Sequence, residues 1–168
     1  MEQLNFLQNS TPPKAVEAKE WTLFIDGASR GNPGSAGAGI YLTCAGNMVL
    51  EQGFFLGEKT NNQAEYLALL IGLYFSKKYV KESDVLHIKS DSQLLVRQIQ
   101  GVYKVKDAHL KVMRDAAMLL LKKIPAYTID HVLRAGNSNA DRMANHGVDK
   151  KIEIPQLCLH LLKKYEVL

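Results

Sequence analysis

The chain has 168 residues, 46% of them apolar, which is enough for the core of one domain and too few residues for several. Its net charge of +4 favours a polyanionic partner only weakly. The two cysteines, Cys44 and Cys158, fall in apolar runs without metal-ligand spacing, no signal peptide is recognisable, and no apolar stretch is long enough to span a bilayer as a helix. These features exclude a disulfide scaffold, a cysteine-zinc site and a helical membrane protein, and lead to the expectation of buried free thiols in a reducing, cytoplasmic setting.

Residues 1–18, including Ser10-Thr11-Pro12-Pro13, show no periodicity and are expected to form a flexible leader ahead of a domain at 19–150. Residues 21–26 alternate Trp21, Leu23 and Ile25 with Thr22, Phe24 and Asp26, the period of a strand, which places Asp26 at the strand's carboxyl end. Residues 27–39 read as a glycine-rich turn. Beyond it, 40–42, 48–50 and 54–56 continue as a strand meander that turns at Ala45-Gly46-Asn47, with a bulge near Gly53. A glycine-rich loop after a strand also suits a phosphate cradle, but the dinucleotide and P-loop forms need a helix directly after the glycines. Here a strand follows and no Gly-Lys-Ser/Thr occurs, so a nucleotide cofactor is not expected.

In Thr60-Asn61-Asn62-Gln63-Ala64-Glu65, Thr60 and Gln63 make a capping-box pattern. Residues 66–75 continue as an apolar helix, with Glu65 about one turn inside it. Residues 85–91 form a strand that hands over to a helix at 94–99, so Asp91 also ends a strand, the usual address of sites in open mixed sheets. Another helix follows the segment 100–107, and a strand spans 127–133. After the loop 135–139, Asp141 stands near the start of a helix at 140–148, where Ser138 and Asp141 form a second capping-box pattern. In the tail, 151–168, Pro155 and the spacing of Leu157, Leu161 and Leu162 indicate one more helix, packed on the sheet or against a partner.

Asp26, Glu65, Asp91 and Asp141 each lie near the end of an element. Singly, Asp91 and Asp141 could be first-turn acids that favour the helix macrodipole. Glu65 is harder to explain so, because it is the sole acid in an apolar helix, and a carboxylate among core residues needs a cation or hydrogen-bond donors. Asp26, at the end of an apolar strand, raises the same question.

The segments FIDGASRGNPG, TNNQAEY, SDSQLL and Arg134-x-x-Asn137-x-x-Ala140-Asp141 resemble, in order and in context, the four motifs of the type I ribonuclease H family, over roughly three quarters of the chain. The resemblance implies an α/β, ribonuclease H-like fold: a mixed five-stranded sheet, three antiparallel meander strands plus two parallel, with helices on both faces. It implies a metal-dependent endoribonuclease that cuts the RNA strand of RNA/DNA hybrids by a two-metal-ion mechanism, leaving 5′-phosphate and 3′-hydroxyl ends. Asp26, Glu65 and Asp91 would be the core ligands of two Mg2+ ions, with Mn2+ as a substitute. Asp26 would bridge the ions and Asp141 would serve the second, so Asp141→Asn should hurt less than Asp26→Asn. Oxygen-only ligands suit magnesium, and the cations would offset the mutual repulsion of clustered carboxylates.

Carried over in the same way, substrate contacts would come from Gly27, Arg30 and Asn32 in the first motif and Asn61, Asn62 and Gln63 in the second. Ser92 and Gln93 in the third and Arg134 and Asn137 in the fourth complete the set. Uncharged amides suit the wide minor groove of an A-like helix, which displays 2′-hydroxyls. For Asn61 and Asn62 the alternative is ordinary helix-start chemistry. A monomer is expected.

The chain departs from the family pattern in two places. A loop histidine before the last aspartate is absent and the loop begins with Arg134, which cannot act as acid or base but can hold a phosphate; its alternative is a surface ion pair. His131, inside a strand, and His146, inside a helix, are not expected to substitute. The segment 100–107 is also too short for a basic protrusion, leaving Lys104, Lys106, Lys111, Arg114, Lys122 and Lys123 as a modest basic face beside the site, with Tyr103 free to stack; the alternative is a solvated lysine-rich helix. Two rival functions stay open: a non-cleaving nucleic-acid-binding module of this fold, and a same-fold nuclease acting on duplex RNA or DNA.

Overall fold

The computed structural model describes residues 17–168. The elements are β1 (Glu20–Gly31), β2 (Gly34–Cys44), β3 (Asn47–Lys59), α1 (Asn61–Ser76), β4 (Val85–Ser90), α2 (Gln93–Ile99), α3 (Ala108–Leu121), β5 (Tyr127–His131), a 3-10 turn (Arg134–Asn137), α4 (Ser138–Lys150) and α5 (Gln156–Lys164). The five strands form one sheet in the order β3-β2-β1-β4-β5, antiparallel at β1/β2 and β2/β3 and parallel at β1/β4 and β4/β5. This is the mixed sheet that the family resemblance implies. Most of the leader, residues 1–16, lies outside the described residues.

The glycine-rich stretch is strand, not turn. β1 runs through Asp26 to Gly31 and pairs residue by residue with β2, so the reversal is confined to Asn32 and Pro33. Asp26 is therefore internal to β1. It stands one residue beyond the parallel pairing with β4, which stops at Ile25 opposite Ser90. Nor is there a bulge at Gly53, which pairs regularly with Gly39; the register slips instead past Leu56 and past Val49 on β3.

The glycines of β2 and β3 have a packing role. A Cβ at Gly37, Gly39 or Gly53 would strike the α4 backbone at Ala144, Ala140 or Met143, so α4 lies directly on the strands. Directly opposed residues of an antiparallel pair share a face, so Asp26, opposite Gly39, lies on the face that α4 covers.

On the other face, α1 is buried along nearly its whole length, as a helix apolar all round must be, and separates the sheet from α3. The expected capping box forms at its start: Thr60 Oγ1 accepts from Gln63 N at 3.2 Å and Gln63 Oε1 from Thr60 N at 2.9 Å. The second capping box does not form. The residue preceding α4 is Asn137, and neither it nor Ser138 caps with its side chain. The tail helix α5 places Cys158 and Leu162 in the same core as the sheet, so the tail is continuous with the domain. Cys158 is the buried thiol expected, whereas Cys44, at the end of β2, is only partly buried.

Candidate active site

The ends of the parallel strands and the start of α1 meet at a cleft of about 510 Å3. Its lining includes Asp26 of β1, Glu65 of α1, Asp91 just after β4 and Asp141 of α4. Carboxylate oxygens of Asp26, Glu65 and Asp91 all lie within 4.8 Å of one another. Asp141 lines the same cleft from the first turn of α4 but stands outside that cluster, with its Oδ1 accepting from Arg134 Nη2 at 3.3 Å.

The positions of the three acids follow from local structure. Gly27 has no side chain, and a Cβ there would collide with the backbone of Ala64 and Glu65; its absence lets α1 approach β1 until Gly27 N donates to Glu65 Oε2 at 3.2 Å. Asp91 follows the last residue of β4 and is fixed by Asn137, whose Nδ2 donates to Asp91 Oδ1 at 3.1 Å and to the Ile25 carbonyl at 2.9 Å.

Asp26 and Glu65 are buried, 5% and 6% exposed. Burial, aided by the Asp91 and Asp141 charges and against the pull of Arg134, raises the Asp26 pKa to about 7. Burial with the Asp26 and Asp91 charges holds the Glu65 pKa well above its ordinary value, the Gly27 N–H opposing. Such crowding is what divalent cations relieve, and an all-oxygen donor set open on one side suits Mg2+ or Mn2+. These residues fit the ions.

Among the expected substrate contacts, Gly27, Arg30, Asn61, Ser92 and Arg134 line the cleft. Asn32 lies beside it, its Oδ1 accepting from Asn61 N at 3.1 Å, while Asn62 and Gln93 are exposed nearby without lining it. Others are engaged by the protein itself. Gln63 closes the capping box, Ser92 caps α2 by accepting from Leu95 N at 3.2 Å, and Arg30 pairs with Asp149 at 2.7 Å. The contact role expected for Asn137 gives way to a positioning one, because its side chain is buried against β1 and Asp91.

The basic face divides in two. Gln63 Nε2 lies 3.3 Å from His109 Nδ1, so α3 begins beside the start of α1. Lys122 caps the far end of α3 and Lys123 follows it, away from the site. Arg114 pairs with Asp115 at 3.0 Å.

Ser29, His131 and Asn145 also line the cleft. His131, not expected from its strand position to serve the site, is the last residue of β5, opposite Ser90, and its Nε2 lies 3.2 Å from the Asp91 carbonyl. Two parallel strands ending together were the available signal. Asn145 follows Asp141 by four residues, a spacing that puts both on one helix face, and its Nδ2 donates to the Asp141 carbonyl at 3.0 Å. Ser29 carries no such signal, because the glycines around it suggest a turn where the chain is strand.

A family model described as "Reverse transcriptase-like" matches residues 24–147. Over 127 residues, 75% of this chain, the sequence is 40% identical to "Ribonuclease HI" of Halobacterium salinarum, but the match spans only 63% of that relative's length. The bifunctional protein Rv2228c of Mycobacterium tuberculosis is covered over 34% of its length. "Ribonuclease H" of Pseudomonas putida is 31% identical over 144 residues, the match spanning 76% of this chain and 93% of that one. Among solved structures, LC11-RNase H1 in complex with an RNA/DNA hybrid superimposes with a TM-score of 0.71 at 38% identity, covering 77% of this chain and 97% of that one.

Proposed function

Because the chain belongs to the type I ribonuclease H family, we propose that it is a metal-dependent endoribonuclease that hydrolyses the RNA strand of RNA/DNA hybrids, leaving 5′-phosphate and 3′-hydroxyl ends. The observation that carries this reading is the convergence of the Asp26, Glu65 and Asp91 oxygens within 4.8 Å in a cleft that also holds Asp141. A module that only bound a polyanion would be better served without these acids.

Asp26, Glu65 and Asp91 would hold divalent cations, with Asp141 serving the second. When bound, the cations supply activation of a water and stabilisation of charge on the leaving oxygen in an in-line displacement. The rest of the work falls to the chain. Gly27 and Asn137 hold Glu65 and Asp91 in position through the hydrogen bonds above. Exposed amides at Asn61, Asn62 and Gln93 suit the minor groove of the hybrid, whose 2′-hydroxyls mark the RNA strand. Arg134, 82% exposed in its side chain, can leave Asp141 and place its planar fork on a phosphate beside the cleft. The reading takes the chain as a monomer, and its free thiols support a cytoplasmic setting.

The test is incubation of the protein with end-labelled hybrid, duplex RNA and duplex DNA, in Mg2+, in Mn2+ and in chelator. Cleavage of the hybrid alone, abolished by chelator and by Asp26→Asn, is expected. An uncut hybrid under every metal condition would overturn the nuclease reading and favour a binding module, and cleavage of either homoduplex would favour a different substrate.

A further inference from the structure

On the β5 side, the wall of the cleft comes from one short stretch of chain that contributes His131, Leu133 and Arg134. His131 ends β5, Val132 N continues the ladder by donating to the Ser90 carbonyl at 2.9 Å, and Leu133 is extended, with φ −68° and ψ 151°. Alternate residues of an extended chain share a side, and three residue steps cover about 10 Å. All three side chains therefore reach the same stretch of a strand bound in the cleft.

His131 Nε2 lies 3.2 Å from the Asp91 carbonyl, which only accepts, so the ring donates from Nε2. In the neutral ring that fixes the tautomer and leaves Nδ1 an acceptor. His131 is exposed, and Nδ1 has no hydrogen-bond partner among the described residues. Tying β5 to Asp91 accounts for Nε2 alone. The second nitrogen is an uncharged acceptor in the cleft wall, and a phosphate has no proton to give it. In a hybrid minor groove the available donors are the 2′-hydroxyls of the RNA strand and the guanine amino group.

The neighbours of His131 favour the hydroxyl. Leu133 is 78% exposed, more than any other large apolar side chain among the described residues. One exposed leucine is ordinary on a surface, but here it offers an apolar contact for sugar carbons between an acceptor and the Arg134 guanidinium. Acceptor, apolar surface and cation match the hydroxyl, carbons and phosphate of a ribonucleotide backbone, not a base edge. We propose, taking the RNA/DNA hybrid as substrate as above, that His131 is a specificity residue whose Nδ1 accepts a hydrogen bond from one ribose 2′-hydroxyl.

Fluorescence anisotropy in Mg2+ tests this on the full chain carrying Asp26→Asn, which prevents cleavage and removes a negative charge that opposes a polyanion. Labelled hybrids carry one ribose at a time changed to 2′-deoxy, or to 2′-fluoro, which cannot donate. At one ribose both changes should weaken binding about tenfold, as loss of one hydrogen bond does. His131→Gln keeps a donor for the Asp91 carbonyl but has no acceptor at the Nδ1 position. It should bind the all-ribose hybrid about tenfold less tightly and be indifferent to both changes at that ribose. His131→Asn, whose amide oxygen falls where Nδ1 stands, should keep the discrimination. Equal penalties with and without His131→Gln at every ribose, the mark of a residue that only positions Asp91, would overturn the proposal. So would undiminished binding of the 2′-fluoro hybrid, or a His131 dependence that disappears when inosine replaces guanine and deletes the base amino group. Absence of hybrid binding would overturn this and the nuclease reading together, whereas a hybrid left uncut by the parent but bound with the His131-dependent penalty would overturn only the latter.

Discussion

Asp26 and Glu65 are where this chain departs furthest from what folding alone would select. Two carboxylates, each nearly buried, face a third within 4.8 Å. Asp26→Asn removes one of these charges while keeping the shape. Hybrid cleavage should fall by more than the roughly 10–100-fold typical of losing an outer-shell partner. The same variant should be more stable than the parent in chelator. Asp26 titrates at about 7 when folded against 3.8 as a free side chain, so folding stability falls as pH rises between those values and stays low above them. Thermal melts should show the Asn advantage fully above pH of about 7 and closing toward 3.8. Asn137 acts one step out, tying Asp91 to the Ile25 carbonyl of β1 by two hydrogen bonds. Asn137→Ala should cost about 10–100-fold in cleavage, with metal affinity weakened in parallel by calorimetry.

At the scale of elements, the site depends on how closely α4 lies on β2 and β3, since α4 carries Asp141. Gly53→Ala would put a methyl group into the Met143 carbonyl, and the helix must shift. A loss of about 1–3 kcal/mol in denaturant unfolding is expected, with cleavage falling as Asp141 moves. On the other side of the sheet, Asp84 ties β1 to the start of β4: it accepts from Lys19 N, Trp21 Nε1 and Lys81 N, each at 3.0 Å. These hydrogen bonds depress its pKa below 3.8. Its stabilisation is therefore complete above 3.8 and is lost as pH falls through the lower folded value. Asp84→Asn should lower stability by about 1–3 kcal/mol at neutral pH, with the gap to the parent narrowing on strong acidification. This clasp was not read from the sequence, because nothing in a polar turn marks which acid will meet a tryptophan sixty-three residues away.

For the whole molecule, the strands, the helix order and the four acids are legible because each rests on local pattern, period two in the strands, the Thr60 and Gln63 capping box, and polar motifs at element ends, while the sheet's topology is legible only through the family resemblance those motifs carry. What was misread depends on tertiary contact. Glycine was taken as turn-forming at 27–39, where Gly37 and Gly39 instead give room to α4, a helix far along the chain. Asn137 and Ser138 were assigned to substrate and to capping, because sequence does not show which polar side chain is buried. For the tail the sequence leaves packing on the sheet and contact with a partner both open, and the structure shows the first: Phe55 N donates to the Ile152 carbonyl at 2.7 Å and Leu162 is fully buried. The expected basic face is likewise not one surface, since Arg114 pairs with Asp115 and Lys123 lies at the far end of α3, away from the cleft.

The convergence of Asp26, Glu65 and Asp91 into a cation site is tested most directly by isothermal titration of Mg2+ and Mn2+ into the protein with hybrid bound, comparing the parent with Asp26→Asn under conditions where no cleavage occurs, such as a hybrid with 2′-O-methyl ribose throughout its RNA strand. Saturable heat from the parent that is greatly weakened in Asp26→Asn is the expected result. No metal-dependent heat from the parent, or equal affinity in the variant, would contradict the account.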